Sequence, residues 1–171
     1  MDQSATDSPN EWILDVVARW ESDLVRYARH LVGDVERARD VVQDTFLKLC
    51  QQDRGQLDGH LAEWLFTVCR NGALDVRRKE QRMTTMTLEA VVDSVGCDPL
   101  PEDVAEQRDS TDKILSLLAE LSSNQQEVLR LKFQNELSYR EISSITGLTE
   151  TNVGFLIHVG IKRLRELMKS I

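Results

Sequence analysis

The sequence predicts an all-α protein in which two small helical domains are joined by an acidic flexible linker. Apolar residues recur three and four positions apart over residues 10–82 and again from Ile114 to the end, and almost no stretch alternates as a half-buried strand does. All three prolines, Pro9, Pro99 and Pro101, fall outside those periodic segments. Between the segments, Thr84 to Asp112 holds Gly96, two of the prolines and eight acidic side chains, the composition of a solvated tether. The expected boundaries are therefore 10–83 for the first domain, 84–112 for the linker and 113–171 for the second domain.

Composition narrows the function classes. The chain of 171 residues is 41% hydrophobic and 29% charged, ordinary for a globular protein. No stretch approaches the roughly 18 consecutive apolar residues that a membrane helix needs. Met1 to Asn10 has no basic start followed by an apolar block, so no secretory signal and a cytoplasmic location are expected. Cys50, Cys69 and Cys97 form no CxxC pair, which suggests reduced, mostly buried thiols. His30, His60 and His158 lie far apart without a carboxylate or cysteine at ligand spacing, so neither a metal site nor a cofactor is expected. A phosphate-cradling glycine loop and a nucleophile elbow are also missing, and the expectation is a non-enzyme with no catalytic residue.

The formal net charge of −8 at first argues against a nucleic-acid partner. Its distribution does not. Residues 1–53 carry −5, 54–87 carry +2, 88–112 carry −7 and 113–171 carry +2. Charges are screened over about 8 Å at physiological salt, so a DNA face feels its near neighbours more than the distant tally.

Within the first domain, Val41, Val42, Thr45, Phe46, Leu49 and Cys50 share one broad helical face, while Asp40, Gln43, Asp44 and Lys48 face away. Leu47 falls among those polar residues. It is either one more exposed leucine or the centre of a polar-rimmed patch for another protein. A second helix runs from about Leu61 to Arg82 with Leu61, Trp64, Leu65, Val68 and Gly72 on one face, which makes Trp64 a core residue. Its last turns carry Arg70, Asn71, Arg77, Arg78, Lys79 and Arg82. These are donors suited to phosphate, or a solvated basic helix end favoured by the helix dipole.

The second domain reads as a helix-turn-helix. Ser122 or Ser123 can cap a helix that buries Val128, Leu129, Leu131 and Phe133; Ser138 with Glu141 forms a capping box for a short helix, Tyr139 to Thr146. Gly147 and Leu148 supply a tight turn with a buried anchor. Thr149 then caps a last helix whose Val153, Ile157, Gly160, Leu164, Leu167 and Ile171 point to the core. Such a layout can lay a recognition helix in the major groove, and it also occurs in purely structural hairpins.

The stretches Asp40-Val-Val-Gln-Asp-Thr-Phe-Leu-Lys-Leu49, Trp64-Leu-Phe-Thr-Val-Cys-Arg-Asn-Gly-Ala-Leu-Asp-Val-Arg-Arg78, Gln126-Glu-Val-Leu129, Leu137-Ser-Tyr-Arg-Glu-Ile142 and Lys162-Arg-Leu-Arg-Glu-Leu167 together resemble bacterial RNA polymerase sigma factors of the compact extracytoplasmic-function group of the sigma-70 family. The resemblance spans about 24–82 and 114–169 and identifies the two domains with sigma regions 2 and 4. It implies docking of Asp40, Gln43, Asp44 and Leu47 on the clamp coiled coil of the polymerase β′ subunit. The loop Gln51 to His60 and the helix carrying Arg70, Asn71, Arg77, Arg78, Lys79 and Arg82 would hold the melted strand of the minus-ten element, where stacking and cations suit single-stranded DNA. Thr149, Thr151, Asn152, Phe155, His158, Lys162 and Arg163 would serve the minus-thirty-five element in the duplex, and the same domain would meet the polymerase β flap. An anti-sigma partner is expected for the group. Against this stand a stand-alone helix-turn-helix regulator and a helical protein-binding adaptor, neither of which needs the Asp40 to Leu49 block.

The chain departs from the family pattern in the last helix. Members commonly carry a basic residue, a serine and an arginine after the Thr-Val; here Gly154, Phe155 and Leu156 stand there, followed by His158 and Val159 where a further arginine is usual. Phe155 and Val159 can touch thymine methyl groups but cannot hydrogen-bond guanine. Duplex reading is expected to be shifted toward A·T-rich sequence or weakened. Gly154 and Gly160 suggest close helix approach, so a protein-facing helix is the other option.

Overall fold

A computed structural model describes residues 9–86 and 116–169. The chain divides between Val95 and Gly96 into two compact units. Every regular element among the described residues is a helix. The linker expectation for 87–112, Cys97, Ile114 and Ile171 lie outside the described residues.

In the first unit, α1 (Pro9–Val32), α2 (Val35–Leu49) and α4 (Leu61–Met86) pack on one another, with the single turn α3 (Arg54–Leu57) between the last two. Pro9, expected outside the helices, opens α1, where its missing N–H costs nothing. The α1–α2 turn uses Gly33 at φ 79°. Asp34 then caps α2 by accepting from the Arg37 N–H at 2.9 Å, an interaction worth about 1 kcal/mol. The core centres on Phe66, fully buried, which packs in T-shaped pairs with Tyr27 at 5.2 Å and Trp20 at 6.1 Å between ring centres. Around it Leu24, Leu49, Leu65 and Cys69 are also fully buried. Burial pushes the Cys69 thiol up to about 12, so it is protonated and inert as a nucleophile at neutral pH.

The described part of the second unit runs from a helical turn at residues 116–119 through α5 (Ser123–Phe133), α6 (Tyr139–Thr146) and α7 (Glu150–Lys169). Of the two candidate caps for α5, Ser122 is the one used, in a reciprocal box with Gln125. Ser138 and Glu141 form the second box as the spacing predicts. Gly147 ends α6 at φ 75°, and the Thr149 hydroxyl accepts from the Asn152 N–H at 3.2 Å to start α7. Val128, Leu131, Ile142 and Val153 fill the core. Gly160 lets α7 approach α5, since a Cβ there would stand 3.0 Å from Leu129 Cδ1.

Several expectations need correction. Phe133 is 61% exposed, because the Leu137 N–H bonds back to the Leu131 carbonyl and carries Leu137 into the corner instead. Cys50, at the end of α2, is exposed rather than buried. Phe46, Trp64, Leu148, Leu164 and Leu167 are half-buried. Helix α4 continues through Met86, so helix covers Thr84 to Met86 where the linker was expected to begin. The stretch Gln51 to His60, read as loop, contains α3.

Candidate functional site

Three helices carry the residues singled out in the sequence. On α2, Asp40, Gln43, Asp44 and Leu47 are all exposed and lie opposite the buried Ala38, Val41, Val42, Thr45 and Leu49. Their spacing of three and four places them in one stripe. Leu47 is 58% exposed. Gln43 and Leu47 also edge an open groove of about 430 Å³ whose far wall is Ile13, Val17 and Val25 of α1. The exposed leucine is thus continuous with further apolar surface.

The cations of α4 do not form one face. Asn71, Arg78 and Arg82 share an exposed stripe with Asp75, and Arg78 is paired to that carboxylate at 2.9 Å. Arg70 and Arg77 lie on one flank of the stripe and Lys79 on the other, as about 100° of rotation per residue requires. Arg70 is half-buried. Glu80, close to the run, is taken up by an ion pair with Arg37 of α2. The helix end thus spreads its charge around half a cylinder, suited to a strand that wraps rather than to a flat surface.

The segment between α2 and α4 is held at three points. Asp53 caps α3 by accepting from the Gly55 N–H at 3.2 Å, Leu57 is buried, and Gly59 turns at φ 75°. The Arg54 guanidinium lies 5.7 Å from the centre of the Trp12 ring on α1. Neither Arg54 nor Trp12 was singled out in the sequence; the two are far apart in the chain and no periodicity links them.

On α7, Thr151, Phe155, His158 and Lys162 form one exposed stripe opposite the buried Val153, Ile157 and Gly160. Asn152 and Arg163 lie on its flank, and Arg163 is drawn to Glu166 at 3.7 Å. Thr149 sits before the helix with its oxygen engaged as a cap. Sequence reasoning missed Tyr139. It is 41% exposed at the start of α6, and a Cβ on Gly154 would stand 3.4 Å from its Cε2. A glycine directly before an outward aromatic was the available signal.

These two helical units define a protein of the sigma-70 class: the chain matches the family model for Sigma-70 region 2 over residues 16–83 and that for Sigma-70, region 4 over residues 111–164. It is 30% identical over 154 residues to the ECF RNA polymerase sigma factor SigL of Mycobacterium tuberculosis, covering 86% of this chain and 84% of that one. It is 25% identical to SigM of Bacillus subtilis, covering 90% and 93%. Its fold is similar to that of the sigma factor RpoE in complex with the anti-sigma factor NepR from Bartonella quintana, with a TM-score of 0.72 at 24% identity over 93% of this chain and 98% of that one. The chain belongs to the extracytoplasmic-function group of sigma-70 family RNA polymerase sigma factors, and it directs transcription initiation. No helix among the described residues is long and apolar enough to cross a membrane.

Proposed function

We propose that the protein is a dissociable, non-catalytic specificity subunit that works in the cytoplasm, where it binds core RNA polymerase, recognises promoter DNA and helps open it. The observation that carries this division of labour is the difference in charge between the outward stripes. Asp40 and Asp44 make the α2 stripe acidic, so it suits a protein surface and not a phosphate backbone. Asp40, Gln43, Asp44 and Leu47 dock on the β′ clamp coiled coil, with Leu47 as the apolar anchor inside a polar rim.

The cations and amide distributed around the end of α4, Arg70, Asn71, Arg77, Arg78, Lys79 and Arg82, grip the separated minus-ten strand beside the α3 segment. The second unit reads the minus-thirty-five duplex with the α7 stripe Thr151, Phe155, His158 and Lys162, while Asn152 and Arg163 flank it and Thr149 fixes the start of that helix, and it meets the β flap. An anti-sigma factor is a further partner; the solved relatives RpoE and CnrH are each bound to another protein, the anti-sigma factor NepR and the cytosolic domain of CnrY.

The test mixes the full chain with bacterial core polymerase, captures the complex and sequences transcript start sites from genomic DNA. Stable binding and start sites sharing an upstream motif are expected. In a Gln43→Ala/Asp44→Ala variant both should fall at least tenfold, with thermal stability unchanged because both positions are exposed. Wild-type binding retained in that variant removes the α2 stripe from the docking site.

A further inference from the structure

The outward stripe of α7 changes character along its length. Its first two turns present Thr151, Phe155 and His158, and the cations begin only at Lys162, followed by Arg165 and Lys169 on the same side of the helix. Phe155 is 61% exposed, the one large apolar side chain within the outward stripe itself, Met168 being exposed on another side of the helix. Beside Phe155, position 154 has no side chain, and the ring of Tyr139 from α6 lies against it, 3.4 Å from where a Cβ would stand. The Lys132 ammonium sits 5.4 Å from the centre of that ring while donating to the Leu137 carbonyl at 3.2 Å. Tyr139 therefore borders the stripe as a fixed group, although it belongs to a different helix.

We propose that Phe155 and Tyr139 determine upstream-element specificity by packing against thymine methyl groups in the major groove. The inference rests on the reading of α7 as the duplex-reading helix. The major-groove edge of guanine offers two acceptors, and a bidentate donor at Phe155 or Gly154 is lacking; thymine alone among the four bases offers a methyl group there. Charge selects DNA over an apolar protein partner. No acidic side chain lies among Thr151, Phe155, His158 and Lys162, the nearby Glu166 is drawn to Arg163 at 3.7 Å, and Lys162, Arg165 and Lys169 follow the aromatic residue along the helix as cations suited to phosphate. The helix enters the groove by its N-terminal turns in this motif, which puts the uncharged half at the bases and the cationic half at the backbone.

The test uses holoenzyme assembled from the full chain and core polymerase. Promoter-length duplexes with a randomised upstream segment are selected by binding. The best of them is then resynthesised with deoxyuridine replacing thymine in the upstream segment only, which removes the methyl groups and leaves base pairing and the minus-ten element intact. We expect selected segments rich in thymine at two or more fixed positions, and a loss of about fourfold in affinity for each contacted methyl removed, the fold-change that burying one such group corresponds to. Phe155→Ala should bind more weakly and lose the larger part of the sensitivity to deoxyuridine, keeping only the part that Tyr139 supplies, and Phe155→Leu should restore some of the loss. Tyr139→Phe should retain the sensitivity, since only the ring is used. Holoenzyme that initiates at defined sites yet binds thymine and deoxyuridine duplexes equally overturns this inference and leaves the sigma reading standing. A chain that captures no core polymerase overturns both.

Discussion

Helices α2 and α7 are built alike and present opposite surfaces. Each buries an apolar face and turns outward a stripe at spacings of three and four, and each leaves one large apolar side chain in that stripe, Leu47 at 58% exposure and Phe155 at 61%. The stripes differ in charge. Asp40 and Asp44 flank Leu47, whereas no acid flanks Phe155 and the α7 stripe ends on Lys162. The apolar period makes a helix and chooses which side is buried. It says nothing of the partner. The sign of the charge around the exposed apolar residue sorts one helix toward a protein surface and the other toward a polyanion.

The largest expected consequence is in salt dependence. If about five to six cations meet phosphate, the affinity of holoenzyme for fork-junction DNA, corrected for core enzyme, falls roughly a thousandfold between about 50 and 200 mM salt, because each neutralised phosphate releases condensed counterions. The binary complex with polymerase uses two carboxylates against a surface that carries no such condensed layer, so it should weaken by no more than about tenfold over the same range. Titrations at several salt concentrations check both. Equal slopes would erase the contrast between the two helices.

Next in size is the effect of the turns that aim the stripes. Gly33 before α2 and Gly147 before α7 sit at φ 79° and 75°, where an L side chain costs about 1–2 kcal/mol. Gly33→Ala and Gly147→Ala should each lower the folding equilibrium by about 5- to 30-fold in denaturant unfolding. Gly154→Ala is the control. It lies within a helix and its Cβ would meet Tyr139 at an ordinary 3.4 Å, so the better helix propensity of alanine should leave stability equal or raise it by up to about 1 kcal/mol. Unchanged stability in both turn variants would show that the stripes are not aimed by these turns.

The helices, the second unit's caps and the Gly147 turn were legible in the sequence because they depend on neighbours three or four residues apart. Ser138 with Glu141 and Thr149 with Asn152 are such local devices. The outward stripes of α2 and α7 were legible for the same reason. What escaped was decided between elements. Phe133 has an apolar side chain at a helix end, and only the return of Leu137 to the Leu131 carbonyl determines which of the two is buried. Arg54 over Trp12 and Tyr139 against Gly154 join residues with no common period. The cationic run of α4 misled in another way, since four cations within six residues look like a cluster in the sequence and are distributed around a cylinder in the helix.

That distinction between adjacency and facing gives the smallest and most selective prediction. Lys162 and Arg163 are neighbours in sequence, and either could be assigned to phosphate on charge alone. Lys162 stands in the outward stripe with Phe155, while Arg163 is turned to the flank and pairs with Glu166 at 3.7 Å, with both side chains more than half exposed. Such an exposed pair contributes little to stability, so neither substitution should move the unfolding midpoint measurably. On DNA they should differ. Lys162→Ala should weaken binding evenly across sequences and reduce the magnitude of the salt slope by about 1. Arg163→Ala should leave the slope unchanged, because its charge is already partly neutralised and faces away from the duplex that Phe155 meets. The opposite result, with Arg163 carrying the slope, would mean that α7 lies in the groove rotated about 100° from the orientation its exposed stripe defines, and Asn152 and Val159 would then replace Phe155 at the bases.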